Sequence, residues 1–176
     1  MIAADLLDLP AAELMKLLLA GHPIDPASLD DREYDGTSLG LPHLVERLTW
    51  KRFRKAFHRD PGTGRLRGWN IRIDNRQPGY TPLTRRGTPI TFGHFAVVAP
   101  AGYRMPQPAT RGLLLDYGVG NGRFDPLSRL RDPLVALHPG DPSLLLGWTY
   151  LDLGLTQVGT PSFFSLQRSG PLSRVP

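Results

Sequence analysis

Several polar side chains sit inside otherwise apolar, strand-like runs, and these are the groups that could do chemistry. His94 lies in Thr91-Phe92-Gly93-His94-Phe95-Ala96-Val97-Val98, Asp116 ends Leu113-Leu114-Leu115, and Tyr150 lies in Leu146-Gly147-Trp148-Thr149-Tyr150-Leu151. Arg72 and Asn70 alternate with Ile71 and Trp69. In a strand, residues two apart share a face. If these polar faces turn inward, one lumen gathers an imidazole, a carboxylate, a phenol and a guanidinium among aromatic rings. Burial raises a carboxyl pKa toward neutrality, as a general acid or base needs. The expected catalytic set is therefore His94, Asp116 and Tyr150 on one shared cavity. Arg72 or Tyr150 would stabilise developing negative charge, and Trp69, Phe92, Trp148 and Phe164 would shape the ligand. The alternative is that these groups are simply paired. Arg129-Leu130-Arg131-Asp132 offers partners for Asp116, while Asp132 reads as structural and the two tryptophans as core.

Other chemistries lack their motifs. The five histidines, at 22, 43, 58, 94 and 138, show no close pair, and cysteine is absent. No metal site is expected, and disulfides and thiolate ligands are excluded. Gly118-Val119-Gly120-Asn121-Gly122 lacks a βαβ context, and no phosphate loop or nucleophile elbow occurs. No cofactor is expected.

Turn residues divide the chain into short strands. Leu6 to Ala20 has helical apolar spacing, stopped by Gly21 and Pro23, and should pack outside the domain. Tyr34 to Leu41 reads as a first strand, and Pro42 to Leu48 as a short helix plugging one end. Arg52–Asp60 and Arg65–Asp74 form a hairpin around Pro61-Gly62-Thr63-Gly64. The polar loop from Asn75 to Pro89 is of the kind that borders a binding mouth. Strands follow over Thr88–Ala99, Gly112–Tyr117, Leu134–His138, Ser143–Leu153 and Pro161–Arg168. About eight short strands with 19 Gly and 18 Pro predict an all-β, antiparallel barrel. The 176 residues read as one domain, with a leading helix over 1–22, the barrel over 32–168 and a tail over 169–176.

Residues 1–35 hold eight acids and two bases, whereas the rest holds nineteen bases and eight acids. The bases of the hairpin at 47–67 alternate with Phe53, Phe57 and Leu66, as on a half-buried strand. Nucleic acid is accordingly not expected as a partner. The competing reading is an interaction module that presents this hairpin to nucleic acid or an acidic protein. No apolar run is long enough to cross a bilayer; a cytoplasmic monomer or homodimer with no membrane partner is the default expectation.

The order of elements resembles the calycin or lipocalin-like barrels. Leu145-Leu146-Gly147-Trp148 followed by Ser162-Phe163-Phe164-Ser165-Leu166-Gln167-Arg168 is similar to the ending of small bacterial lipocalin-like domains, with Asp116 and Asp132 where those domains place polar residues. Where lipocalins carry Gly-x-Trp, this chain reads Tyr34-Asp35-Gly36. The resemblance implies a lumen for a small apolar or amphipathic ligand. It also implies, for an enzyme of this kind, a cofactor-independent cyclase or isomerase acting on a biosynthetic intermediate.

Overall fold

The computed structural model describes residues 1–40, 51–120 and 125–176. Ten strands are present among them: β1 Arg32–Leu39, β2 Arg52–Arg59, β3 Leu66–Arg72, β4 Thr84–Arg85, β5 Thr88–Pro89, β6 Thr91–Val98, β7 Leu113–Asp116, β8 Leu130–His138, β9 Asp141–Asp152 and β10 Gln157–Pro171. Eight close into an antiparallel barrel in the order β1-β10-β9-β8-β7-β6-β3-β2, and β4 and β5 form a separate small hairpin. Closure leaves no free edge. The all-β antiparallel barrel expected from turn spacing is thus the observed architecture. The strand expected from Leu134 begins at Leu130, and the last strand runs to Pro171, into the predicted tail.

The sequence alternation divides the barrel into an inner and an outer layer. Phe57, Leu66, Phe95, Leu115, Leu134, Leu145 and Leu166 fill one half of the lumen. Ile24 and Leu29 join this cluster from the segment before β1, which pairs with β8 through His22 and Ala136. The expected plugging helix at 42–48 lies outside the described residues.

The outer face of β7–β10 is also apolar. It packs under helix α1, Ala11–Ala20, whose Leu14 and Leu18 are fully buried there with Leu114, Val135, Leu146 and Phe163. Each such leucine contributes about 1.5 to 3 kcal/mol of burial. The helix sits outside the barrel, as the spacing predicts, but begins at Ala11 behind a 3-10 turn at Ala3–Leu6. On the opposite wall Ala56, Trp69 and Ile71 are covered by Leu172 of the C-terminal tail. Ser173 ties that tail down by donating its N–H (2.9 Å) and Oγ–H (2.6 Å) to Glu33. No helix among the described residues is long and apolar enough to cross a membrane.

Candidate functional site

Above the filled half of the lumen lies a cavity of about 470 Å³, within the range of small-molecule sites. Its position follows from the strands. On β2 the inward residues run Phe53, Lys55, Phe57; on β8 they run Leu130, Asp132, Leu134; on β10, Ser162, Phe164, Leu166. In each case the first two line the cavity and the third belongs to the packed core. Lys55, Asp132, Asn70 of β3 and Thr149 of β9 therefore form the layer where the cavity meets the core.

Three glycines make room for the walls. A Cβ on Gly36 would lie 2.4 Å from the Phe53 ring, on Gly68 2.5 Å from Phe95, and on Gly147 2.2 Å from Phe164. The rings lie against bare backbone at these points. They are also the rings that surround the Lys55 ammonium, with centroids 5.4, 5.0 and 4.9 Å from Nζ; a fourth, Tyr117, is at 5.3 Å. Such distances allow cation–π attraction.

The polar groups form one chain. Lys55 Nζ donates to Asn70 Oδ1 (2.9 Å) and to Tyr117 Oη (2.6 Å). Tyr117 Oη donates to Asp132 Oδ2 (2.9 Å), and Thr149 Oγ1 donates to Asp132 Oδ1 (2.8 Å). Asn70 donates to the carbonyl of Gly93 (3.1 Å), which fixes its amide. Nζ and Asp132 Oδ2 are 3.6 Å apart, with both side chains almost wholly buried.

Burial dominates the protonation equilibria. It lowers Lys55 from 10.5 to about 8 against the attraction of Asp132. Asp132 is raised, again by burial first, with Lys55 and the hydroxyls of Thr149 and Tyr117 opposing. Tyr117 is pushed well above 10 by burial and by Asp132. Both members of the ion pair are thus biased toward their neutral forms, as expected when two charges leave water for a low-dielectric interior. A proton passing from Lys55 to Tyr117 while the tyrosyl proton passes to Asp132 converts ammonium and carboxylate to amine and carboxylic acid.

The residues chosen from sequence lie differently. His94, Asp116 and Tyr150 do not share a cavity, and none of them lines the lumen cavity. His94 is on the outer face, its ring 6.2 Å from that of Trp69, and burial followed by Arg67 lowers its pKa. Asp116 and Tyr150 do come together, but on the outer wall, flanking Arg131 across β7, β8 and β9. Asp116 accepts from Gly118 N–H (2.7 Å) and Tyr103 Oη (2.7 Å) and pairs with Arg131 (3.1 Å). Tyr150 Oη donates to the carbonyl of Arg104 (3.1 Å). Arg131 is the partner that the Arg129-Leu130-Arg131-Asp132 segment offered.

Of the expected ligand-shaping residues, Phe92 and Phe164 line the cavity, and Arg72 lies 5.7 Å over the Phe92 ring. Trp69 and Trp148 belong to the outer clusters instead. Trp148 Nε1 donates to the Thr160 carbonyl (2.7 Å). The loop from Asn75 to Pro89 contributes nothing to the cavity lining. It lies along the outside, where Tyr80 meets Thr37 (2.7 Å) and Arg52 donates to the carbonyls of Asn75, Gln77 and Gly79.

Lys55, counted from sequence with the basic face, is the residue that this reading missed. Its signal was local: in Phe53-Arg54-Lys55-Ala56-Phe57 it shares a face with two phenylalanines, so a face that buries them buries the lysine. The neighbouring bases are held by their own chain. Arg54 pairs with Asp35 (2.7 Å) and Glu33 (3.1 Å), and Arg59 with Asp30 (2.6 Å). Among the described residues no group of three or more His, Asp or Glu side chains is placed to hold a metal.

Comparison with known proteins finds no matching family model, no matching curated sequence and no matching solved structure.

Proposed function

We propose that this protein is a lipocalin-like receptacle for a small, mainly apolar molecule, and that Lys55, Tyr117 and Asp132 give its lumen cofactor-free acid/base chemistry. The observation that carries the reading is one buried, hydrogen-bonded Lys-Tyr-Asp chain on a 470 Å³ cavity otherwise walled largely by phenyl rings and aliphatic side chains. A side chain placed for packing alone would be apolar here, since a buried ion pair adds little net stability over hydrophobic residues of similar volume. A ligand with an apolar body and one oxygen-bearing end fits both parts. Its body meets Phe53, Phe92 and Phe164, and its polar end meets Lys55.

The chemistry that such a chain supports is proton transfer to and from the polar end, as in an isomerisation or ring closure. Tyr117 links donor and acceptor within hydrogen-bond distance, so no solvent is required. In the protein's interior these groups act at low dielectric, where each hydrogen bond to developing charge is stronger than in water.

The test is a binding titration with a hydrophobic fluorescent dye, 1-anilinonaphthalene-8-sulfonate, on the wild-type protein and on Ser162→Trp. Ser162 lines the cavity at the level of Phe53 and Leu130, and an indole there fills it. Saturable one-to-one binding that is lost in Ser162→Trp supports the reading. Dye binding unchanged by that substitution, in a variant with wild-type circular dichroism, removes it.

A further inference from the structure

We infer that Lys55 is a covalent attachment point for a carbonyl compound, its side-chain amine condensing with an apolar aldehyde or ketone seated in the cavity to form an imine. This rests on the reading of the lumen as a ligand site and names the substrate class for it.

Four observations converge on this chemistry. Lys55 lines the cavity and is nine-tenths or more buried, so its amine is reached through the cavity. Asn70 and Tyr117 accept two of its N–H bonds and the Asp132 carboxylate lies 3.6 Å from Nζ, so the amine is held in place at the cavity wall. Tyr117 and Asp132 provide a route for the proton that must leave before the nitrogen can attack. Finally, the choice of residue is informative. Eighteen of the 21 Lys and Arg residues are arginine, yet among the described residues the base sealed inside the barrel is a lysine. A guanidinium would serve as a permanent charge, but it does not lose its proton in proteins, whereas a desolvated lysine does.

The reaction balances without an oxidant or reductant. The Nζ lone pair bonds to the carbonyl carbon, the π pair moves to oxygen, and that oxygen takes a proton, giving a carbinolamine. Asp132, now a carboxylic acid, is the proton source, with Tyr117 as the relay. The nitrogen returns one of its two N–H protons to the Asp132 carboxylate through Tyr117; the hydroxyl group takes that proton back and leaves as water while the nitrogen lone pair forms the C=N bond, and the remaining N–H proton of the iminium passes to Asp132. The titratable groups that face Lys55 among the described residues are Asp132 from β8 and Tyr117 from the turn that follows β7. Burial favours the neutral amine near pH 8, so capture should accelerate as pH rises through that value.

The experiment uses the full chain, cinnamaldehyde as the probe and cyanoborohydride to fix any imine as a stable secondary amine. The chain has only three lysines, Lys16, Lys51 and Lys55, besides the N-terminal amine of Met1, so peptide mapping by mass spectrometry assigns the adduct without a variant. The expected result is one adduct per chain, on Lys55 in about tenfold preference over the other amines, with the preference lost when the protein is unfolded before labelling. Cinnamyl alcohol, which has the same body but cannot condense, is measured in parallel by dye displacement. Displacement by the alcohol together with an adduct that is absent, or spread evenly over Lys16 and Lys51, overturns the imine and leaves the lumen reading standing. Failure of both compounds to displace dye or label overturns the two together. Lys55→Met combined with Asp132→Asn avoids leaving an unpaired buried acid and should abolish the adduct in a folded chain. An adduct of undiminished yield in that double variant also overturns the inference.

Discussion

Replacing Lys55 with methionine keeps much of the side chain's length and removes its charge, and the consequence depends on pH in a way the site dictates. In the unfolded chain the lysine has its ordinary value of 10.5, against about 8 in the folded protein. Below pH 8 both states carry the ammonium, and the folded state bears the full cost of burying it, about 3 kcal/mol at 1.36 kcal/mol per pKa unit. As pH rises from about 8 toward 10.5 the folded chain releases its proton first, the unfolded chain holds more protons, and stability climbs. Four tyrosines act in the opposite sense: buried Tyr34, Tyr117 and Tyr150 and half-buried Tyr103 are raised above 10, so the stability they confer below pH 10 is lost above it. His94, held below its ordinary 6.5, has finished titrating before this window. The wild-type protein should therefore gain about 2 kcal/mol between pH 7 and pH 9.5 and be most stable near the top of that range. Lys55→Met should be flat across it. At pH 7 the variant escapes the cost of burying the ammonium but leaves Asp132 without its partner, and its stability should rise on acidification as that carboxyl, raised further, takes up a proton. Adding Asp132→Asn should remove that rise on acidification, because the titrating carboxyl is gone. Urea denaturation at a series of pH values measures each of these quantities. A Lys55→Met curve that climbs between pH 7 and 9.5 as steeply as wild type would refute the assignment of that slope to Lys55.

Gly147→Ala should destabilise the protein by about 1 to 3 kcal/mol and weaken dye binding, because the new Cβ would meet the buried Phe164 ring at 2.2 Å; thermal melting and dye titration check both effects. Asp116→Asn should lower stability by about 1 to 3 kcal/mol through its lost bonds to Arg131 and Tyr103, while leaving cinnamaldehyde capture at Lys55 unchanged, which labelling of the variant reads directly. Leu14→Ala should cost about 2 to 5 kcal/mol, since that side chain is fully buried between α1 and the outer wall; a loss under 1 kcal/mol by urea denaturation would show that the helix is not docked as described.

The barrel was legible in the sequence because its turns are written in Gly, Pro and Asp, and because eight strands of short, regular spacing close more readily than they leave edges. The site was only partly legible, for two physical reasons. Along β6, counting by twos from Phe92 carries His94 to the same face, but Gly93 has φ +53° and the pairing with β3 shifts register there. Phe92 and Phe95 consequently both face the lumen, and His94 is turned out. Along β7 and β9 the alternation was read correctly, but both faces are apolar. The outer one is covered by α1 and by Tyr103, Met105 and Ala109, so hydrophobicity alone does not say which face is the lumen. The polar set chosen, Asp116 and Tyr150, was the outer one. Its counterpart on the inner face, beside Lys55, comprises Tyr117, the residue after Asp116, and Asp132, the residue after Arg131.

Lysine labelled with 13C at Cε gives three resonances in this chain, and their titration is the most direct test of the central claim. The Lys55 signal should titrate with a midpoint of about 8 and should shift, with that midpoint displaced, when a saturating apolar ligand such as cinnamyl alcohol is added. A midpoint at the ordinary 10.5 together with a signal indifferent to every lumen-sized apolar compound would contradict a buried, ligand-facing lysine and the function built on it.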